Sequence, residues 1–407
     1  MPRAAKWSIL GLLIAALAGL SFALGVAVER NHGGSGSQSA QTAAGAPDFD
    51  ALNEIYGLLQ KYYVDPSSID GQTLSQAAIN GMVKSLSDTG TYYIDPQTYA
   101  TSVMPSGTFE GIGATVAEQN GKIVITAPIA GTPAEQAGIL SGDIILEVNG
   151  ESTDGWTVEK AVSSIRGPKG TEVTLKVQHS DGQVEEITLK RDEIEVASVS
   201  HDPPMGAFKD SAGNDVTDLA YIQIREFTAL TEAQLKPEMD RVASGNYKGL
   251  ILDLRNNPGG LLDTTVHVAD MFLDSGTILI QVDRDGTEKT FSATSGGPAT
   301  TIPLVILVNK FSASGSEVLS AALHDNGRAT LIGENTFGKG TVNIPQQLSD
   351  DRGALFVTIA RWLTPKRVLI DGVGIKPDIA VTLSDDDVSA HRDTQLSKAI
   401  DFLRGNQ

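Results

Sequence analysis

The rhythm of apolar and polar positions changes several times along this chain. Residues 7–28 run for 22 positions without a charge, which as a helix at 1.5 Å per residue spans about 33 Å. Residues 33–46 are uncharged and rich in Gly, Ser, Ala and Gln, the composition of a flexible tether. Between 49 and 84 apolar residues recur three and four apart: Leu52, Ile55, Tyr56 and Leu59, then Leu74, Ala77, Met82 and Val83. That spacing predicts two or three amphipathic helices, broken at Asp65-Pro66-Ser67-Ser68. Their apolar faces require a partner, either the body of the protein or a second copy of the chain in a homodimer.

Residues 107–193 switch to short strands, beginning at 111–116 and 122–125, with a helix at 158–165 and strands at 172–178 and 184–190. Beyond 193, strand-like runs at 219–225, 249–254 and 303–308 alternate with helical patterns at 232–243 and 316–324. Further strands are predicted at 329–333 and 355–360, and a closing helix at 395–403. The run 303–308 is nearly all β-branched residues and leucine, as suits a strand buried on both faces. The pattern predicts an α/β multidomain chain: 1–30 an N-terminal apolar helix, 31–48 a tether, 49–106 a helical region, 107–193 a β-domain and 194–407 an α/β core.

Charge and composition narrow the function. Lys and Arg total 31 against 50 Asp and Glu, a formal balance of −19 that disfavours nucleic acid as a partner. Cysteine is absent, which excludes a disulfide framework and a thiol nucleophile. The six histidines show no paired ligand spacing, so no metal or other cofactor is expected. Arg3 and Lys6 precede the apolar stretch 7–28. The positive end should stay in the cytoplasm, leaving the rest outside as a single-pass protein of the cell membrane, in the periplasm or at the cell exterior. A retained signal anchor competes with a cleaved signal peptide, for which Ala23-Leu24-Gly25 offers a small-residue cleavage site.

Within 107–193, Gly111-Ile112-Gly113-Ala114 precedes a strand, and Ser141-Gly142-Asp143-Ile144-Ile145-Leu146-Glu147-Val148-Asn149-Gly150 follows Ala137-Gly138. This arrangement resembles a PDZ domain. The resemblance implies that an incoming peptide tail adds a strand to a sheet edge while Gly111, Ile112, Gly113 and Ala114 offer backbone N–H groups to its carboxylate.

Chemistry concentrates in three turns of the core. A buried strand delivers Ser312-Ala313-Ser314-Gly315-Ser316 to the start of a helix, whose free N–H groups favour developing negative charge. The three serines cannot be ranked by local chemistry, and each has the ordinary alternative of helix capping. Lys339 lies between Gly338 and Gly340, 25 residues after Ser314. To act as a base near neutrality it must fall about three pH units below its usual 10.4, roughly 4 kcal/mol of disfavoured charging that burial without an acidic partner supplies. Phe337, Val342 and Ile344 are its expected apolar cover. The glycine spacing before Lys339 does not fit a phosphate-binding loop. The third turn, Asp253-Leu254-Arg255-Asn256-Asn257-Pro258-Gly259-Gly260, exposes backbone N–H groups suited to half of an oxyanion hole, with Gly315 as the other half. A Ser-His-Asp arrangement using His324, or His267 with Asp263 or Asp270, is the rival mechanism.

Together these motifs resemble the carboxy-terminal processing peptidases, or tail-specific proteases, across about residues 49–403. The resemblance implies a PDZ domain inserted ahead of an α/β, crotonase-like protease core. It implies Ser314 as nucleophile, Lys339 as base, and the backbone of Gly260 or Gly259 with Gly315 as oxyanion donors. It also implies that Arg166 helps align the site when substrate docks. Three departures stand out. Asn343 occupies the position where many members carry glutamine, Lys310-Phe311 precedes the serines, and residues 87–93 only approximate the family's Asp-Pro-His-Ser-x-Tyr run. The expected function is an extracytoplasmic serine endopeptidase cutting proteins near their C-terminal tails. The alternative is a catalytically weak or inactive PDZ-based scaffold.

Overall fold

The computed structural model describes residues 49–405 apart from 89, 102–106, 206–207 and 391. The apolar stretch 7–28 and the tether lie outside the described residues, and among those described no helix is long and apolar enough to cross a membrane.

The centre of the core is a six-stranded sheet in the order Val199–Ser200, Ala220–Ile224, Leu250–Asp253, Leu304–Val308, Thr330–Gly333, Ile379–Ala380. All neighbours are parallel except the first pair. Alternate residues of the central strands feed two apolar layers. Ile222, Leu252 and Ile306 pack with Leu235, Phe272 and Leu319 from the helices Thr231–Ser244, Leu262–Phe272 and Gly315–Asp325. Tyr221, Ile251 and Val305 pack on the opposite face against Leu396 and Ile400 of the helix Thr394–Leu403. Strands covered on both faces need continuous apolar sequence, which is why 303–308 reads so clearly.

A second, antiparallel sheet stands beside it. The ten-residue strand Ala354–Leu363 is its spine, pairing with Thr277–Asp283 and with Thr341–Gln347; the hairpin partner Glu288–Ser292 extends the edge. The remaining member of this sheet is Tyr92–Ile94, which comes from the N-terminal region. The two preceding helices, Phe49–Tyr62 and Gly71–Lys84, bury no residue, and Leu52, Ile55, Leu74 and Met82 are exposed.

The sheet of the β-domain runs Ala114–Gln119, Lys122–Pro128, Ile144–Val148, Glu172–Gln178, Val184–Lys190, so that Ala114–Gln119 is an edge strand. The helix Val158–Ile165 packs over it, and Ile123, Ile145, Leu175 and Ala161 fill the small core. A two-stranded ribbon of Thr108–Gly111 and Asp192–Glu195 closes its neck, bringing the chain back to the α/β core close to where it left.

Candidate active site

The turn after Leu304–Val308 must reverse direction within a few residues, and small side chains allow it. Ser314 takes the N-cap of the helix Gly315–Asp325 with φ 53 and ψ −115, a region that costs a non-glycine residue about 1–3 kcal/mol. The structure separates the three serines that sequence leaves equivalent. Ser312 Oγ donates to the Leu254 carbonyl at 2.8 Å and Ser316 Oγ donates to the Asn257 carbonyl at 2.9 Å. Both hydroxyls tie this turn to the Asp253–Gly260 loop. Ser314 Oγ is buried and has no hydrogen-bond partner among the described residues.

Lys339 is 5% exposed. Its Nζ donates to Asn343 Oδ1 at 3.4 Å, a neutral partner. Burial pushes the amine down to about 8, with Glu317 and Asp88 pulling partly back toward the charged form. The apolar cover differs from the expectation at Phe337, which is 44% exposed; Val342 is buried and Ile344 half-buried. Gly338, at φ 90, turns the Phe337 ring outward while the next residue turns in. Trp362 supplies cover that the local sequence could not show, its Nε1 donating to the Lys339 carbonyl at 2.9 Å from the neighbouring strand.

Glu317 joins the two halves and escaped the sequence reading. Its Oε2 accepts from Ser314 N at 2.9 Å and from Lys339 N at 2.8 Å, so the two amides lie within two hydrogen-bond lengths of each other. Its Oε1 accepts from Gly338 N and Thr336 Oγ1, each at 2.6 Å. Burial raises the carboxyl above its usual range, and these four donors oppose that rise. Its position three residues after a serine is the signature of a helix cap, which conceals the long-range role.

The glycine pair also resolves. Gly259 N donates to Asn257 Oδ1 at 2.8 Å, whereas the N–H groups of Gly260 and Gly315 have no acceptor among the described residues. A Cβ on Gly259 would fall 2.7 Å from both Gly315 N and Ser314 Cβ, so the loop lies directly against the serine turn. A Cβ on Gly260 would lie 2.1 Å from the Phe227 carbonyl oxygen, which makes glycine obligatory there. The histidines are elsewhere. His324 faces Asp325 and Asp378, and His267 faces Glu232 from an exposed position.

In the β-domain a cavity of about 290 Å³ is lined by Phe109, Ile112, Gly113, Ala114, Val162, Ile165 and Arg166, among others. Gly111 ends the neck ribbon opposite Asp192. The Ile112 carbonyl accepts from Ala134 N and the Gly113 carbonyl from Ile129 N, both at 2.8 Å. The N–H groups of Ile112 and Gly113 make no such bond among the described residues. Arg166 lies over the Phe109 ring, 4.6 Å from its centroid.

Comparison with known proteins places this geometry. The sequence profile of peptidase family S41 matches residues 218–381, and that of the PDZ domain matches residues 101–178. The carboxy-terminal processing protease CtpA of Bacillus subtilis (strain 168) is 36% identical over 386 residues, covering 95% of this chain and 79% of that one. A probable CtpA-like serine protease of Staphylococcus saprophyticus is 35% identical over 374 residues, covering 91% and 71%. A putative S41 protease from Bacteroides fragilis shares the fold, with a TM-score of 0.52 over 90% of this chain and 100% of that one at 16% identity.

Proposed function

Because the chain belongs to peptidase family S41, as a serine-type carboxy-terminal processing peptidase with a PDZ domain ahead of its protease domain, we propose that it cleaves through a dyad of Ser314 and Lys339. One observation carries the reading: the buried Lys339 amine hydrogen-bonds to a neutral amide rather than to a carboxylate, and its backbone is tied to that of Ser314 through Glu317. With the amine pushed down to about 8, roughly a tenth of molecules hold it neutral at pH 7. The neutral amine takes the Ser314 proton as Oγ bonds to the scissile carbonyl carbon. The carbonyl oxygen gains the negative charge and is held by the free N–H groups of Gly260 and Gly315. The protonated amine then returns the proton to the departing amine, and water hydrolyses the acyl-enzyme with Lys339 again as base.

The PDZ groove selects chain ends. The edge strand Ala114–Gln119 receives the tail as an added strand, the N–H groups of Ile112 and Gly113 receive its carboxylate, and the apolar cavity takes the last side chain. Arg166, at the C-cap of the groove helix, is placed to couple an occupied groove to the neck. Residues 7–28, with Arg3 and Lys6 before them, make the apolar stretch an export signal or anchor, leaving the protease outside the cytoplasm.

The test is cleavage of a fluorescent peptide ending in an apolar residue. Ser314→Ala and Lys339→Ala should each abolish turnover, while amidating the peptide's C-terminus should weaken capture without touching the dyad. Full activity in either variant refutes the dyad. Tail binding with no acylation of Ser314 by a reactive probe would favour the scaffold reading instead.

A further inference from the structure

The run 87–93 departs from the pattern of the family it resembles. In the structure Gly90 and Thr91 meet Asn343, Thr341 and Thr358. Asp88 accepts from the Gly90 amide at 2.9 Å and from the Thr91 hydroxyl, while Thr91 Oγ1 in turn accepts from Thr358 N at 3.0 Å on the strand Ala354–Leu363. Gly90 leaves no room for a side chain, since a Cβ would lie 2.4 Å from Thr358 Oγ1 and 2.6 Å from Thr341 Oγ1. Its backbone therefore sits on the strands Thr341–Gln347 and Ala354–Leu363, the first of which begins two residues after Lys339. The Gly90 carbonyl accepts from Asn343 Nδ2 at 2.7 Å, and Asn343 is fully buried. An amide side chain has one donating end and one accepting end. With the donating end taken by Gly90, the accepting end faces Lys339 Nζ.

We propose that the turn carrying Asp88, Gly90 and Thr91 is a positioning element for the base: it holds the Gly90 carbonyl where it fixes the Asn343 amide, and the amide oxygen then orients the Lys339 amine toward Ser314. This rests on the dyad reading and adds to it a segment that precedes the PDZ domain in sequence. An amine that donates one N–H to Asn343 Oδ1 keeps its lone pair free for the serine proton. The charged groups facing Lys339 are Glu317 from the helix Gly315–Asp325 and Asp88 from this turn, and Arg361 acts on Asp88 in turn. Burial works against the charge on Asp88, yet Thr91, the Gly90 amide and Arg361 help hold it below its usual range. The turn thus sets both the direction of the amine and, through the Asp88 charge, the pH at which it becomes neutral.

The experiment follows hydrolysis of fluorescein-labelled casein by the full chain between about pH 6 and 10, in Thr91→Ala, Thr91→Ser and Asp88→Asn, with Ser314→Ala and Lys339→Ala as dyad controls. Thr91→Ala should lower kcat about tenfold with KM nearly unchanged, and Thr91→Ser, which keeps the hydroxyl, should recover most of it. Asp88→Asn should move the acid limb of kcat/KM to lower pH, because one charge favouring the ammonium is gone. A merely structural turn would scale rates equally at every pH. That outcome for both Thr91→Ala and Asp88→Asn, with the dyad controls dead, overturns the positioning role and leaves the dyad standing. Wild-type activity in Lys339→Ala would instead remove the dyad, and this proposal with it.

Discussion

Two cations are buried in this protein to the same extent, each 5% exposed, and they have opposite fates. Arg255 lies between Asp253 and Asp393, with contacts of 2.6 and 2.8 Å, and a further bond to Gln395. Burial opposes its charge, but the two carboxylates outweigh burial and hold the guanidinium well above its ordinary range. The Lys339 amine hydrogen-bonds to the neutral Asn343, and burial outweighs the more distant pull of Glu317 and Asp88, bringing it down to about 8. The lesson is that the partner, not the depth, decides whether a buried cation fastens the fold or exchanges a proton. Arg255 fastens: it joins the end of the strand Leu250–Asp253 to the start of the helix Thr394–Leu403. Lys339 is left able to exchange a proton, as the proposed dyad requires, at a cost in stability.

The largest expected effect comes from forcing one cation to behave as the other. Lys339→Arg keeps the charge and removes the base, because guanidinium does not release its proton near neutrality. Peptide turnover should fall by about a thousandfold or more, measured against a wild type assayed at the same folded concentration. Retention of more than a tenth of the activity would mean that proton transfer does not run through residue 339.

Next come the two methionine variants, which should change stability in opposite directions. Arg255→Met leaves Asp253 and Asp393 facing each other without a cation and should cost about 3–5 kcal/mol. Lys339→Met removes a group that the fold would rather hold uncharged and should gain about 1–3 kcal/mol at pH 7. The direction follows from linkage. The folded amine titrates near 8 and the unfolded one near the ordinary lysine value of 10.5, so between these values the unfolded chain binds more protons. Wild-type stability should therefore climb as pH rises from about 8 to 10.5, by about 3 kcal/mol from this one group. Urea midpoints at constant slope check all three statements, and the pH-dependent gain should be missing in Lys339→Met.

Much of this was legible in the sequence because it is written locally. The strands around Ile222, Leu252 and Ile306 are continuous apolar runs, and the groove helix Val158–Ile165 has a clear 3.6-residue period with Thr157 as its cap. The serine turn and the glycine-flanked lysine are short and unusual enough to be found by eye. What stayed hidden depends on residues far apart. Glu317 looks like a capping residue until Lys339 N arrives 22 positions later, and the Asn343 amide meets a carbonyl 253 positions away. The ranking of Ser312, Ser314 and Ser316, and of Gly259 against Gly260, turns on which donors are already engaged, and engagement is a property of packing. Thr264 and Thr265 dilute the apolar period of the helix Leu262–Phe272, although both are buried against the core. The N-terminal helices show the reverse: their period was legible, but the face they offer is uncovered among the described residues.

The smallest expected effect refines the Lys339 side of the comparison. Asn343 stands where the family resemblance implies glutamine in many members, and its 3.4 Å separation from Lys339 Nζ is long for a hydrogen bond. Asn343→Gln adds about 1.5 Å of stem. The longer arm can shorten that contact only by giving up the 2.7 Å bond to Gly90 or by displacing the turn above it. The two effects oppose each other, so turnover should change by less than about tenfold in either direction. Asn343→Leu, which removes both ends of the amide while filling the same space, should cost about a hundredfold and leave the melting temperature within a few degrees. If the leucine variant were as active as the glutamine one, the neutral partner of Lys339 would be irrelevant to its chemistry, and burial alone would separate it from Arg255.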